Sequence, residues 1–310
     1  MWGSNVSTVM GARDGKRGHV LVARNARVLY VPSTKVASST LRLLLAEANG
    51  TYRPDLIRWL DGPTISVDQS VHNMQINGLV HMELLPKSVQ TEMTSSADWW
   101  RVAAVRNPYA RIYSAWENRI LLRAPGRVTE RAWVECADVI VDGHIDLLAT
   151  YRRFIETLAA KPEVFGDDSH FRSQSMHFDL TPISLTHVIR LDRTGELQRF
   201  ADELGARVGR SFAPRRLNEG LGIGYRQVTD SRTAELIRTV FADDFDRFEF
   251  ADETFPDELD PVVASERETN AIRYARALTE RLTQLSTLAR YRNTGRHLAA
   301  QTLRNLRLRK

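Results

Sequence analysis

The stretch Pro32-Ser33-Thr34-Lys35-Val36-Ala37-Ser38-Ser39-Thr40 lies between the apolar run Val28-Leu29-Tyr30-Val31 and the leucines 41, 43, 44 and 45. A loop joining a strand to a helix gathers backbone N–H groups, Lys35 and the hydroxyls of Ser38, Ser39 and Thr40 around one point. An anion is favoured there, by the positive end of the helix dipole and by the lysine charge. The stretch is not a nucleoside-triphosphate loop of the G-x-x-x-x-G-K-[ST] kind: both glycines are absent, and Val36 stands where the magnesium-binding hydroxyl belongs. A loop that takes phosphate-like groups without magnesium accounts for both the likeness and the failure. Read alone, it is equally a capped helix with a solvated lysine.

A second group of the same chemistry follows. Arg106 ends an apolar run, and Ser114 comes eight residues later, on the polar side of the next helix with Arg111 and Asn118. A guanidinium fork and a hydroxyl so placed converge on another phosphate. Two anion sites at neighbouring strand ends suit one ligand carrying two phosphate-like groups, and such ligands bind outside the carboxyl ends of parallel strands.

The elements that must position these residues read as strand, loop, helix, repeated. His19–Ala23 and Arg27–Val31 have strand composition and are separated by Arg24-Asn25-Ala26-Arg27. The second has no polar alternation and is expected as a central parallel strand covered on both faces. Trp99–Val105 is expected as a strand, Asn107-Pro108 as the start of a helix running to about Leu122, and Tyr109, Ile112, Tyr113, Trp116 and Ile120 as its core face. Thr186–Leu191 reads as a third strand before a helix from about Gly195 to Leu204. Asp230 or Ser231 caps another helix, with Leu236, Ile237, Val240, Phe241, Phe245 and Phe248 inward. Strands alternating with helices predict an α/β fold with a mostly parallel central sheet and helices on both faces. Trp99 and Trp100 point to opposite faces of their strand.

Three segments follow: a flexible N-terminus over 1–18, a domain over 19–255, and a linker, amphipathic helix and basic tail over 256–310. In the last, Ala271, Ala275, Leu278, Leu282, Leu285 and Ala289 form a short heptad seam, and packing on the body is preferred to a coiled-coil dimer, so a monomer or weak homodimer is expected. The 310 residues carry 43 Lys and Arg against 38 Asp and Glu, an excess that invites a nucleic-acid partner. Seven of the cations lie between Arg290 and Lys310 without an acid, and the other 36 face all 38 acids. The body is therefore nearly neutral and no nucleic acid is expected; the tail can touch a membrane or an acidic partner. One cysteine, Cys136, allows neither an internal disulfide nor a thiolate cluster, and no metal-ligand cluster is recognised. No apolar run reaches the length of a membrane span or a signal peptide, which predicts a cytoplasmic protein.

The segments Tyr30-Val-Pro-Ser-Thr-Lys-Val-Ala-Ser-Ser-Thr40 and Val105-Arg-Asn-Pro-Tyr-Ala-Arg-Ile-Tyr-Ser-Ala-Trp-Glu-Asn118 resemble the 5′-phosphosulfate loop and the 3′-phosphate motif of the carbohydrate (type 2) sulfotransferases. Weaker likeness continues through His170-Phe-Arg-Ser-Gln174, His187–Asp192, Asn218 with Tyr225, and Phe241–Phe248, and so spans about 19–250. Here Ser33 and Thr34 stand between the proline and the lysine, which the family's loop places side by side. The resemblance implies a P-loop-like three-layer sandwich and a donor, 3′-phosphoadenosine-5′-phosphosulfate (PAPS). The sulfuryl group would pass to a hydroxyl of a glycan or another hydroxylated acceptor, with no metal. It implies Lys35, Ser38, Ser39 and Thr40 at the 5′-phosphosulfate, with Lys35 also neutralising charge on the leaving oxygen, and Arg106 and Ser114 at the 3′-phosphate. It also implies a histidine base some two dozen residues before Arg106. His81 is the first choice, His72 the second and His170 the third; His19, His144, His177, His187 and His297 are taken as structural. Glu117 is expected to pair with Arg119, to pair in the neighbourhood of Arg111, or to lie in solvent, and Arg190 to be structural. Two other readings stay open: a nucleoside-triphosphate kinase, and a non-catalytic adaptor that works through its C-terminal helix.

Overall fold

The computed structural model describes residues 20–59, 70–124, 128–215, 217 and 220–292. The expectations for residues 1–18, Asn218 and the basic tail lie outside these. The central sheet has five strands. In chain order they are β1 (Leu21–Ala23), β2 (Val28–Val31), β3 (Val80–His81), β4 (Trp100–Val105) and, beyond the separate hairpin of β5 (Val139–Val141) and β6 (His144–Asp146), β7 (His187–Arg190). Their spatial order is β3-β1-β2-β4-β7.

The expectation of a mostly parallel sheet is corrected: the sheet is mixed. β2, β4 and β7 are parallel, with Tyr30 opposite Val102 and Val102 opposite His187, but β1 runs antiparallel to both β2 and β3. The reason is local. A parallel crossover needs a dozen or more residues, whereas Arg24–Arg27 is a tight turn closed by Arg27 N–H donating to the Arg24 carbonyl, and so makes a hairpin.

β1, β2 and the Val102–Val105 end of β4 are buried on both faces and alternate between two cores. Leu29, Val31, Ala103 and Val105 belong to one, under the helices Pro108–Trp116, Leu147–Ala160 and Ser231–Val240. Val28, Tyr30, Val102 and Ala104 belong to the other, under the helices Ser38–Asn49 and Glu196–Val208. Helices thus cover both sides of the sheet. Trp99 joins the first core, and Trp100 packs beside the second with the Arg207 guanidinium 4.7 Å over its ring.

The helix after β4 is not uniform to Leu122. It is α-helical over Pro108–Trp116 and then makes a π-turn over Glu117–Leu121, with Leu122 N–H reaching the Glu117 carbonyl. Such widened turns are frequent at functional sites.

The C-terminal helix, Glu266–Arg292, docks by a face other than the heptad seam. Thr269, Ile272 and Thr279 are buried, and Arg276 forms a two-pronged ion pair with Asp138; Leu278 and Leu285 of the seam are exposed. The stretch before it, expected as a linker, is tied to the body: Pro256 accepts from Ser231 N–H, Val262 from Leu147 N–H, and Val263 bridges Asp146.

One buried carboxylate fixes the segment that holds Arg106. Asp244, with no solvent exposure, accepts from the N–H groups of Gln174 and Ser175 and from the Gln174 amide at 2.8, 2.7 and 3.2 Å. The Gln174 side chain in turn clasps the Arg106 backbone on both sides, accepting from its N–H at 2.8 Å and donating to its carbonyl at 2.9 Å. Removing a buried acceptor strands its donors, at roughly 1–3 kcal/mol per group. The variant Asp244→Ala is expected to lose about 3 kcal/mol of stability in urea unfolding, more than Asp243→Ala on the adjoining position.

Candidate active site

The loop after β2 meets the segment after β4 at the carboxyl edge of the parallel strands, where an α/β sheet opens to ligands. In the loop, Lys35 and Ala37 have φ of 62° and 53°, left-handed values that side chains other than glycine rarely adopt. Each costs on the order of 1–3 kcal/mol, and such backbone persists only where the surroundings enforce it. The sequence therefore lacks the glycines of a phosphate loop while the backbone keeps a left-handed form.

The expectation of capping hydroxyls at the next helix is also corrected. Ala37 is the N-cap and offers no side-chain acceptor. The Ser39 hydroxyl lies 2.8 Å from His72 Nε2, and Thr40 donates to the Arg215 carbonyl at 2.9 Å. The Ser38 hydroxyl makes no hydrogen bond with a described residue. The first amides of Ser38–Asn49 are thus left without a side-chain cap, which is the condition for anion binding at a helix start.

Arg111 holds the loop from the other side. Fully buried on the Pro108–Trp116 helix, it donates from Nε to the Thr34 carbonyl at 3.0 Å and from Nη2 to the Thr34 hydroxyl at 3.1 Å. Thr34 passes its own proton to the Ser169 carbonyl. Burial pushes Arg111 down to about 10, still an ionised guanidinium at neutral pH. Helical spacing puts Arg111 away from the core face of Tyr109, Tyr113 and Trp116, as expected for the polar side; it is buried because the Thr34 loop covers that side of the helix as well.

Arg106 reaches the same place. Its Nη1 lies 3.5 Å from the Lys35 carbonyl, and burial holds its acidity above that of an ordinary guanidinium. Ser114, two turns into the helix, is half-buried and its hydroxyl makes no hydrogen bond with a described residue. Asn107 caps the helix by accepting from Tyr109 N–H and donates to Glu253, which also accepts from the Tyr225 hydroxyl.

Three histidines surround the cluster. His170 lies 2.6 Å from Asp168 through Nδ1, and its Nε2 lies 3.1 Å from Arg119 Nη2. Arg119 reaches both ring nitrogens, its Nε donating to Nδ1 at 3.2 Å and its Nη2 lying at Nε2. Desolvation, opposed by Asp168 and assisted by Arg119, holds His170 down to about 4, so it is neutral at pH 7. His72 keeps an edge open to solvent, yet desolvation among the packed loops, then the charges of Arg42, His170, Arg119 and Lys35, hold it below the ordinary imidazole value. His177 contacts the Ser169 carbonyl. His81, the first choice from sequence, ends β3 opposite Leu21, which itself faces Tyr30. It stands at the same edge of the sheet as the loop, two strand spacings from β2, or roughly 9–10 Å. Its Nδ1 is 3.5 Å from Glu83 Oε1.

Two further expectations resolve. Arg190 is structural: it forks onto Asp192, donates to the Phe248 carbonyl and stacks 4.5 Å over Phe250. Glu117 does not pair with Arg119, which is turned to His170 and the Ala124 carbonyl. Instead it is 9% exposed, and Oε1 accepts from Leu221 N–H at 2.8 Å. Gly220 makes that approach possible, since a Cβ there would sit 2.1 Å from Glu117 Oε2.

The structure thus brings two cationic segments and an uncapped helix start together at one end of the sheet. The type 2 sulfotransferase family model matches residues 18–251. The chain belongs to that family. No curated protein and no solved structure matches it closely enough to add a nearer relative.

Lys35 is half-buried and its charge is under pressure. Desolvation first, then Arg119, Arg106 and Arg111, against support from Glu117, bring it down to about 8. It is an ammonium ion below that pH and a neutral amine above it. An anion that needs the ammonium should lose about tenfold in affinity for each pH unit above 8, while Lys35→Arg should bind independently of pH over the same range. Calorimetric titration with 3′-phosphoadenosine-5′-phosphate at pH 7 and 9.5 checks both.

Proposed function

We propose that the protein transfers a sulfuryl group from PAPS to a hydroxyl of an acceptor, a glycan or another hydroxylated metabolite. The observation that carries the reading is the junction of the two anion-binding segments. Arg106 meets the backbone of Lys35, and Arg111 ties the Lys35 loop to the helix that bears Ser114. A single ligand with phosphate-like groups at both ends fits that donor set: uncapped helix amides and an ammonium at one end, a guanidinium and an unengaged hydroxyl at the other.

PAPS, when bound, supplies the sulfuryl group and departs as the 3′,5′-bisphosphate. Lys35, Ser38 and the amides of the left-handed loop would hold its 5′ end, with Ser39 and Thr40 shaping the loop through His72 and Arg215. Lys35 also neutralises negative charge gathering on the 5′ side, a task in which fixed donors work without reorganising. Arg106 and Ser114 would hold the 3′-phosphate.

The acceptor hydroxyl needs a proton acceptor. Of the three histidines weighed from sequence, His170 has its basic nitrogen on Arg119 and His72 has Nε2 on Ser39, whereas His81 turns Nδ1 to the Glu83 carboxylate. His81, which ends β3 at the same end of the sheet as the Lys35 loop, is the proposed base.

Arg106→Ala should weaken 3′-phosphoadenosine-5′-phosphate by about a hundredfold and adenosine-5′-phosphate by less than threefold, because only the first carries the group Arg106 binds. Equal loss for both in calorimetry rejects the 3′-phosphate assignment. His81→Ala should keep the affinity for the spent donor and lose about 10²–10⁴ of turnover with radiolabelled PAPS and a glycan panel. Full turnover in His81→Ala, with loss in His72→Ala or His170→Ala, moves the base to that residue.

A further inference from the structure

The C-terminal helix, Glu266–Arg292, is seated on the body by its polar side. Thr269, Ile272 and Thr279 are buried and, with Arg276, recur at intervals of three and four residues, so they share one face. Thr269 accepts from Ile145 N–H at 3.4 Å, Arg273 donates to the Gly143 carbonyl at 3.2 Å, and Arg276 grips Asp138 with two bonds of 2.6 and 2.9 Å. Arg276 also donates to the Leu121 carbonyl. A surface helix usually does the reverse and lays its apolar side on the core.

The apolar side lies about half a turn round the helix and faces outward. Ala271, Ala275, Leu278, Leu282 and Leu285 repeat at four and three, flanked by Tyr274 and Leu288. Tyr274 is 71% exposed, Leu278, Leu285 and Leu288 are exposed with it, and Leu282 is half-buried. Single exposed leucines need no explanation, but Tyr274 and these four leucines are aligned along about 21 Å of helix and make one continuous surface. The Arg273 and Arg276 bonds fix the rotation of the helix, so the surface cannot roll inward without breaking them.

A second copy of the same helix fits this surface in both charge and size. Glu266 and Glu268 stand in the first turn, with Asp257, Glu258 and Asp260 exposed just before it, whereas from Arg290 to Lys310 the sequence has seven bases and no acid. Two copies running in the same direction would set like charges together at both ends; running in opposite directions, each acidic end meets a basic one. A two-fold axis at Glu280 then sets Leu278 against the partner's Leu282 and Ala275 against the partner's Leu285, so large residues meet small ones or fill the middle. We propose that the protein forms a two-fold symmetric dimer through the outward face of its C-terminal helix, with the two helices antiparallel. The dimer is independent of the reaction assigned above.

Leu278→Asp combined with Leu285→Asp charges the middle of the face and leaves the bonds from Thr269, Arg273 and Arg276 to the body in place. In sedimentation equilibrium of the full chain, the unaltered protein should dimerise, and the double variant should do so at least about a hundredfold more weakly with an unchanged circular dichroism spectrum. Gln284→Asp, an exposed position on the polar side of the same helix, should keep the dimer. For the orientation, Cys136 is buried, so a spin label goes to the new thiol of Arg267→Cys. Two such labels should lie about 40 Å apart in the antiparallel pair, against less than about 20 Å in a parallel one. A full chain that stays monomeric up to about 100 μM, or a dimer that the double variant retains, overturns the proposal. The short label distance overturns the antiparallel arrangement. A monomer that floats with phosphatidylserine vesicles, and no longer does so in the double variant, overturns the dimer and gives the face to a membrane.

Discussion

The site depends on a guanidinium that no solvent reaches. Arg111 projects from the helix after β4 and closes on the carbonyl and hydroxyl of Thr34, in the loop after β2. Two adjacent parallel strands deliver their loops to one edge of the sheet, but adjacency alone does not fix a lysine to within the fraction of an ångström that anion recognition needs. The buried fork supplies that fixity, because breaking either bond would strand a charge in the interior. Thr34 hands the restraint on to Ser169, beside the His170 and Asp168 pair, so one contact registers three loops.

A second restraint works from the opposite side. Asp244 fixes Gln174, and Gln174 clasps the backbone of Arg106, so the arginine is aimed from its main chain while its guanidinium reaches to the Lys35 carbonyl. The two devices divide the work. Arg111 holds the loop by two side-chain bonds to Thr34, and Arg106, five residues earlier, is held mainly through its backbone. Fixed dipoles and charges of this kind carry much of enzymatic catalysis because nothing has to reorient when charge moves.

Much of the architecture was legible. The apolar runs around Val28, Val102 and Ile189 gave the three parallel strands, and Asn107-Pro108 and Asp230 marked helix starts that the structure keeps. The antiparallel β1 was also legible in principle, since four residues cannot carry a parallel crossover. β3 was not: two residues, Val80 and His81, present no period, and only their pairing with Val22 and Leu21 makes them a strand. In the C-terminal helix the heptad leucines point away from Ile272 and Arg276, because a half-buried ion pair with Asp138 has no signature in an apolar pattern. The two cationic stretches stand out by residue type, but the destinations of Ser39, Thr40, Arg111 and Glu117 depend on chain segments 33 to 175 residues away, which no local spacing encodes.

The loop at Lys35 and Ala37 bears on how such sites are recognised. A phosphate responds to the direction of amide hydrogens, and glycine is the cheap means of turning them. Here the turning is done by residues with side chains, held by a buried arginine and a packed helix. The specification has moved from the residue in the loop to residues outside it. Motif searches built on glycine spacing will pass over proteins of this design, and a search on backbone dihedral angles would find them.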